Sequence, residues 1–278
     1  MDSMTTAPSM FISHGAPTFA LDPGLLGANL HAMQSRLSGV NAVLVVSAHW
    51  QSRGVRVMTT AKPETIHDFG GFPPELYRLE YPVAGMPDVA SEAGRLLAAQ
   101  GFIVTEDAQR GLDHGAWVPL MHMYPEARVP VFQVSMPYDL DTAGAWRLGR
   151  ALGPLRASGV LIVGSGSLTH NLYEVRQNGS DTAPYAREFA GWVRDAVLER
   201  DTDRLIRYRR NAPHAERAHP TEEHYLPLLV ALGASNTSDE TPEVIEGGIT
   251  YGVLSMESYA WGVVDCCTSA AQPQGTSQ

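Results

Sequence analysis

The stretch AVLVVSAHW, residues Ala42–Trp50, joins an apolar run to a histidine. A continuous run of aliphatic and β-branched residues is typical of a strand that is buried on both faces of a sheet. The run ends at Ser47, and His49 follows two residues later. MFISHG and LIVGSGSLTH repeat this arrangement, because each places a histidine, His14 or His170, shortly after an apolar segment.

The rest of the chain alternates such segments with helical patterns. DVASEAGRLLAAQ and YAREFAGWVRDAVLER carry apolar residues at helical spacing, whereas FIVTED and VPVFQVSM are typical of strands. This alternation predicts a single α/β domain with a central mostly parallel or mixed sheet that is covered by helices on both faces. We expect the domain to occupy residues 1–267, followed by a disordered tail over residues 268–278.

The charge of the chain excludes several classes of protein. The formal net charge is −10, which argues against a nucleic-acid binder and against docking on anionic lipid, since both need basic patches. Lys62 is the only lysine, and no glycine-rich segment leads into it. A P-loop NTPase and a Schiff-base enzyme are therefore disfavoured.

The cysteines and the apolar runs indicate where the protein works. Cys266 and Cys267 are adjacent, so they offer no metal-ligand spacing and are expected to be free thiols in a reducing compartment. No apolar run approaches the roughly 18 residues needed to span a bilayer. The segment MDSMTTAPSM lacks the basic start of a signal peptide. We expect a cytoplasmic protein that does not bind membranes.

The histidines indicate a metal site. Ligands bind beyond the carboxyl ends of strands in an open α/β sheet, so parallel strands would bring His14, His49 and His170 to one edge. His224 lies in a helix predicted to begin near Pro220 and to end at Gly233. One such histidine is commonly structural, but several at one edge favour a metal, since imidazole is the commonest metal ligand.

Other polar residues leave alternatives open. A site with two histidines and one carboxylate would draw on an acidic neighbour, the candidates being Asp68, Asp113, Glu222 and Glu223. Glu222 and Glu223 are also explained as first-turn acidic residues favoured by the helix dipole. His67 and His114 are predicted to lie in glycine-bearing loops, where they either shape the loop or contact a ligand. His31 and His122 are expected to be structural, and His214 is expected to lie in a loop. His219 precedes Pro220, and it is either structural or in contact with the site.

Six motifs follow one another along the chain: SHGAPT, VVSAHW, TIHDFGGFPPELY, DHGAWVPL, GSGSLTHNL and PTEEHYLPLLVALGA. Together, over residues 10–260, they resemble the class III extradiol ring-cleavage dioxygenases, and more narrowly the 4,5-DOPA dioxygenase extradiol branch. The resemblance implies a non-haem iron(II) enzyme that uses O₂ to cleave a DOPA-like or other substituted catechol beside its diol. The product would be a muconate semialdehyde.

The resemblance also implies roles for single residues. His14, His49 and His224 occupy the positions of the metal ligands, and His170 occupies that of the acid/base. His114 and His67 fall where the family lines the substrate pocket, and His114 would hydrogen-bond substrate or oxygen. Fe(II) is expected in the active enzyme, while Zn can fill the site after purification because it out-competes iron(II) for nitrogen ligands.

Two other functions remain alternatives. One is a zinc-dependent hydrolase whose metal-bound water attacks the substrate, and the other is a non-catalytic metal-binding member of the same superfamily. A hydrolase would need a general-base carboxylate beside the metal, which the sequence does not identify. The expected partners are a small-molecule catechol and O₂, and a homo-oligomer is left open.

Overall fold

The computed structural model describes residues 6–37, 39–176, 181–235 and 239–264. Within these ranges the strands are β1 (Ser9–Ser13), β2 (Ala42–Ser47), β3 (Gln51–Ser52), β4 (Val55–Met58), β5 (Val104–Asp107), β6 (Val131–Gln133), β7 (Met136–Pro137), β8 (Val160–Gly166), β9 (Glu243–Ile245), β10 (Ile249–Thr250), β11 (Leu254–Ser255) and β12 (Ser258–Trp261).

Within the described ranges the helices lie between these strands, singly in the first half of the chain and as five consecutive helices between β8 and β9. They are α1 (Gly24–Met33), α2 (Pro87–Ala99), α3 (His114–Met123), α4 (Thr142–Leu152), α5 (Pro184–Leu198), α6 (Thr202–Ile206), α7 (Tyr208–Asn211), α8 (Ala215–Ala218) and α9 (Leu226–Ala234), with 3₁₀ turns at Pro17–Ala20, Gln34–Leu37, Leu76–Arg78, Gly153–Ser158 and Leu172–Glu174. In the part of the chain that the structure describes, no helix is long and apolar enough to cross a bilayer.

A six-stranded mixed sheet forms the centre of the molecule, in the order β6-β2-β8-β1-β12-β9. The first four of these strands run parallel, whereas β12 is antiparallel to β1 and β9 is antiparallel to β12. The carboxyl ends of β1, β8 and β2 are therefore neighbours at one edge. The predicted α/β class with a mostly parallel or mixed sheet is confirmed.

Strand β8 shows how both faces of the sheet are covered. All seven of its residues are buried. Ser165 faces α3, because its hydroxyl donates to the carbonyl of Gly115. Gly164 and Gly166 face the opposite side, where a Cβ atom would lie only 2.0 Å and 2.2 Å from the carbonyl oxygens of Pro227 and His224. The sheet is thus packed between α3 and the α9 region, as predicted.

Several element boundaries differ from the sequence expectations. The helix predicted to begin near Pro220 begins instead at Leu226 and runs past Gly233 to Ala234, with Pro227 near its start. Glu222, Glu223 and His224 consequently lie in the turn before α9 rather than in its first helical turn. His114 is the first residue of α3 rather than part of a loop.

Two predicted strands are interrupted. VPVFQVSM divides into β6 and β7, because Val134 leaves the central sheet and pairs with Val57 instead. YGVLSMESYAWG divides into β11 and β12. The predicted tail, residues 268–278, and the two cysteines lie outside the described residues.

Candidate metal centre

Two histidines meet at the carboxyl edge of the sheet. His14 follows the last residue of β1 directly, and His49 follows the end of β2 by two residues. Both strands flank β8, so the two side chains emerge on either side of it. The Nε2 atoms of His14 and His49 lie 2.9 Å apart.

His224 joins them from a separate part of the chain. Its Nε2 lies 3.3 Å from that of His49, and it enters from the turn before α9. Gly166 makes this approach possible, because any larger residue would place a Cβ atom 2.2 Å from the carbonyl oxygen of His224. The ligand atoms of His14, His49 and His224 all lie within 4.8 Å of one another.

The opposite nitrogen of each ring faces an oxygen atom. Nδ1 of His14 lies 2.9 Å from the hydroxyl of Ser165, and Nδ1 of His224 lies 3.0 Å from a carboxylate oxygen of Glu223. Nδ1 of His49 is 3.6 Å from Asp68. Outer partners of this kind are typical of metal-bound histidines, since they fix the ring and its tautomer.

The Ser165 hydroxyl determines the tautomer of His14. Its single hydrogen is directed at the carbonyl of Gly115, so its oxygen can only accept from Nδ1–H of His14. The Glu223 carboxylate likewise accepts from Nδ1–H of His224. The lone pairs of these two rings therefore reside on Nε2 and point into the shared space.

Burial keeps the three rings neutral. It is the main cause that holds the pKa values of His14 and His224 well below the usual histidine range, with the neighbouring imidazoles adding to it. Burial also lowers the pKa of His49, as does His114. Neutral imidazoles with lone pairs on Nε2 are the form that binds a metal ion.

The distances fit a single metal ion. Two nitrogens that are each about 2.0–2.1 Å from one ion, at angles of 90–109°, lie about 2.8–3.4 Å apart. The separations of 2.9 Å and 3.3 Å fall in this range. Converging lone pairs at such distances would repel each other, and a cation among them would remove that repulsion. The residues present therefore fit the metal that the resemblance implies.

His170 lies beside this group but is arranged differently. Its ring stacks on that of His224, with 3.4 Å between centroids and 10° between planes. Burial lowers its pKa to about 4, while Glu223 opposes the shift. At neutral pH the ring is therefore unprotonated and can accept a proton. Whether His170 is an acid/base or a further ligand stays a prediction.

His114 reaches the same space from the start of α3. Its ring lies 4.0 Å from that of His49, measured between centroids. Gly115 permits this packing, because a Cβ atom there would lie 2.4 Å from Ser47 Oγ and 3.1 Å from the His49 ring. A side chain at position 115 would collide with Ser47 and His49, which explains why glycine follows His114 in the sequence DHGAW.

Two carboxylates beside the histidines are engaged with other groups. Asp68 accepts from both the backbone N–H and Nδ1–H of His114, at 2.9 Å and 3.0 Å. Burial raises the pKa of Asp68, but the His114 contacts outweigh it and bring the value to about 2. Asp113 is fully buried and accepts from Ser47 and Gln133. Asp68 is therefore charged. Asp113 instead contacts Ser47, two residues before His49 in the chain.

The histidines border a cavity of about 240 Å³. Its wall is mostly apolar and is formed by Gly15, Ala16, Pro17, His49, Phe69, Gly70, Phe72, His114, His170, Leu172, His224 and Leu254. A larger cavity of about 650 Å³ lies beyond Ala16, but its lining contains no histidine. The smaller cavity is the candidate substrate pocket, since it combines apolar walls with convergent polar groups.

His67 does not line this cavity among the described residues. Its Nε2–H donates to the carbonyl of Leu79 at 3.0 Å, so in this structure it shapes the loop, and a contact with substrate stays a prediction. His122 and His219 are structural: they donate to the carbonyls of Phe19 and Leu168.

Sequence reasoning missed the roles of Ser165 and Glu223. The glycine and serine residues of GSGSLT are typical of a turn, but Gly164, Ser165 and Gly166 belong to β8 itself. The alternation of side chains along a strand could have identified Ser165, because it places this serine on the face of the sheet opposite to Gly164 and Gly166. Glu223 is one of the candidate carboxylates, and its alternative explanation by the helix dipole is excluded because α9 begins only at Leu226.

The chain was compared with known proteins. Residues 28–261 match the family described as the catalytic LigB subunit of aromatic ring-opening dioxygenase. The 4,5-DOPA dioxygenase extradiol of Beta vulgaris is 40% identical over 255 residues, which cover 90% of this chain and 95% of that protein. The Escherichia coli K12 protein of the same name is 37% identical over 264 residues, covering 94% and 96%.

A solved structure leads to the same fold. The crystal structure of an uncharacterized protein from Escherichia coli K12 superposes with a TM-score of 0.77 at 32% identity, covering 91% of this chain and 99% of that one. The family match and the identities extend over nearly the whole described domain. The chain therefore belongs to the LigB family of class III extradiol ring-cleavage dioxygenases, in the 4,5-DOPA dioxygenase extradiol branch.

Proposed function

We propose that this extradiol dioxygenase is a non-haem iron(II) enzyme that opens a side-chain-bearing catechol with O₂ and releases a muconate semialdehyde. The observation that carries the proposal is the convergence of three Nε2 atoms, 2.9 Å and 3.3 Å apart, beside an apolar cavity. The names of the relatives support a DOPA-like substrate, since DOPA is the compound that those names contain.

His14, His49 and His224 would hold the metal, and enzymes of this family are metal-dependent. When bound, iron(II) would supply a route past the spin restriction that separates triplet O₂ from a singlet catechol. The protein contributes the neutral, oriented imidazoles, because Ser165 and Glu223 keep the proton of His14 and His224 on Nδ1.

Proton transfer falls to His170. A catechol must release a hydroxyl proton when it binds as an anion, and ring opening later requires a proton. The neutral imidazole of His170 borders the cavity, so it can accept the first proton and return it. A positioned proton carrier of this kind contributes about 10²–10⁴ in rate.

The cavity can position the aromatic ring of a substrate. Phe69, Phe72 and Leu172 form much of its apolar wall, which suits an aromatic ring, whereas His114 offers a hydrogen bond to a substrate hydroxyl or to oxygen. Holding two reactants in place can remove about 7–11 kcal/mol of a bimolecular barrier. A volume of about 240 Å³ fits one small aromatic molecule.

Oxygen uptake tests the proposal. Purified protein is stripped of metal, loaded anaerobically with iron(II) and mixed with DOPA, caffeate-like acids and simple catechols in an oxygen electrode. We expect a yellow product and one O₂ consumed per ring opened. His49→Ala, which removes one imidazole from the cluster, should lose both metal and uptake. Iron-loaded protein that consumes no O₂ with any catechol would refute the proposal.

The same measurement separates the alternatives. A zinc-dependent hydrolase would turn over with zinc and consume no O₂, and a non-catalytic member would bind metal without any product. A hydrolase also needs a carboxylate to activate water. Among the described residues, the carboxylates in contact with the histidine cluster are Asp68, held by His114, and Glu223, held by His224.

A further inference from the structure

Asp68 lies between a proposed metal ligand and a proposed substrate contact. One carboxylate oxygen accepts from the backbone N–H of His114 at 2.9 Å and from its Nδ1–H at 3.0 Å. The other oxygen lies 3.6 Å from Nδ1 of His49. One nitrogen or oxygen atom of each of the three side chains lies within 4.8 Å of those of the other two. A single acidic group therefore faces the Nδ1 side of both rings.

An ionised carboxylate has no hydrogen to donate. The ring of His114 must therefore carry its proton on Nδ1, which leaves the lone pair on Nε2, the nitrogen on the other side of the ring. At 3.6 Å the contact with His49 is longer than a hydrogen bond, so it acts through charge. A negative charge there favours Nδ1–H on His49 and leaves its Nε2 lone pair directed at His14 and His224.

We propose that Asp68 is a positioning residue that sets the tautomers of His49 and His114 together, and so couples metal affinity to the substrate contact. This inference rests on the proposed function, since it assigns His49 to the metal and His114 to the substrate. A purely structural reading is available too, because Asp68 also accepts the first backbone N–H of α3. That reading predicts an effect on stability alone.

Asp68→Asn tests the metal arm. The amide preserves shape, but it can no longer present an acceptor oxygen to both rings: its NH₂ group must face one of them. Zn²⁺ serves as the probe, titrated into metal-free protein against a competing chelator. We expect the dissociation constant to rise about 10–100-fold, the usual effect of losing an outer partner of a metal-bound histidine.

Asp141→Asn is the matched control. Its carboxylate accepts from the backbone N–H of Gly144 at the start of α4, so the same chemical change is made at a helix start remote from the histidines. It should leave Zn²⁺ affinity unchanged. If Asp68→Asn binds Zn²⁺ within twofold of Asp141→Asn, the proposed effect on His49 is wrong and the structural reading stands.

A double-variant cycle tests the substrate arm. At saturating iron(II), Asp68→Asn and His114→Gln should each lower kcat, and the double variant should be no slower than His114→Gln, because Asp68 acts through that ring. Zn²⁺ affinity should remain normal in His114→Gln and be weakened in the double variant. Losses in kcat that multiply in the double variant would show that Asp68 does not act through His114.

Imidazole ¹⁵N NMR of the metal-free protein measures the tautomers of His49 and His114 directly, without any catalytic turnover. We expect Nδ1–H signals for both His49 and His114, and a change of tautomer at one of them in Asp68→Asn. Unchanged tautomers would overturn the inference. If the wild-type protein shows these signals and binds Zn²⁺ but opens no catechol, the proposed function fails while the role of Asp68 in setting tautomers holds.

Discussion

Replacing Ser165 with alanine would remove the outer partner of His14 with almost no change of shape. The Ser165 hydroxyl accepts from Nδ1–H of His14 and donates to the carbonyl of Gly115, both in the buried interior. Each buried hydrogen bond contributes about 0.5–1.5 kcal/mol, so we expect the free energy of unfolding of the metal-free protein to fall by about 1–3 kcal/mol.

The same change should weaken metal binding. Without its acceptor, the His14 ring is free to move its proton to Nε2, the nitrogen that faces His49. Loss of an outer partner costs about 10–100-fold in metal affinity, which corresponds to about 1.4–2.7 kcal/mol. An effect of this size on the dissociation constant is large enough to measure directly.

Zn²⁺ titration and urea unfolding measure the two effects, with Ser167→Ala as control. Ser167 lies just beyond β8, and its buried hydroxyl donates to the carbonyl of Thr169 at 2.8 Å. Its removal should cost about 1 kcal/mol of stability and leave metal affinity unchanged. Equal Zn²⁺ affinities in Ser165→Ala and Ser167→Ala would refute the reasoning that Ser165 fixes the ligand tautomer.

Three further changes test the site. His14→Ala should abolish stoichiometric metal binding by elemental analysis, and full occupancy would contradict its role as a ligand. His170→Ala and His170→Gln should retain iron and bind catechol while turnover falls by about 10²–10⁴; metal loss equal to that of His14→Ala would make His170 a ligand. Gly166→Ala should destabilise the fold by about 1–3 kcal/mol and weaken metal binding, because its Cβ atom would lie 2.2 Å from the carbonyl oxygen of His224. Gly191→Ala, at a helix position with open space around the new methyl group, should instead leave binding unchanged and stabilise by about 0.4–1 kcal/mol in thermal unfolding.

The sequence predicted those parts of the fold that depend on local pattern. β2 is apolar up to Ser47, and β8 begins with the apolar run Val160–Val163; such runs are buried on both faces in a covered sheet. The parallel pairing of β1 and β2 with β8 then placed His14 and His49 at one edge. The start of α9 was missed because two prolines, Pro220 and Pro227, each satisfy the rule that favours proline in the first helical turn, and packing selects the second.

The missed parts of the site depend on contacts between distant segments. Ser165 and His14 are 151 residues apart in sequence, and Asp68 and His114 are 46 apart. No local periodicity encodes such pairs. Asp113 carried a recognisable signal, since aspartate is a preferred residue before a helix, and it would have placed His114 at the start of α3.

The two halves of the site are built on different kinds of backbone. The converging nitrogens of His14 and His49 lie at strand ends, and that of His224 lies in a turn packed against β8. Phe69 and Phe72 instead belong to a loop between β4 and α2 that contains one short 3₁₀ turn. Loops accept insertions and substitutions far more readily than the elements they join. Descendants of this gene could therefore acquire new aromatic substrates by altering that loop, while the reaction itself is inherited unchanged.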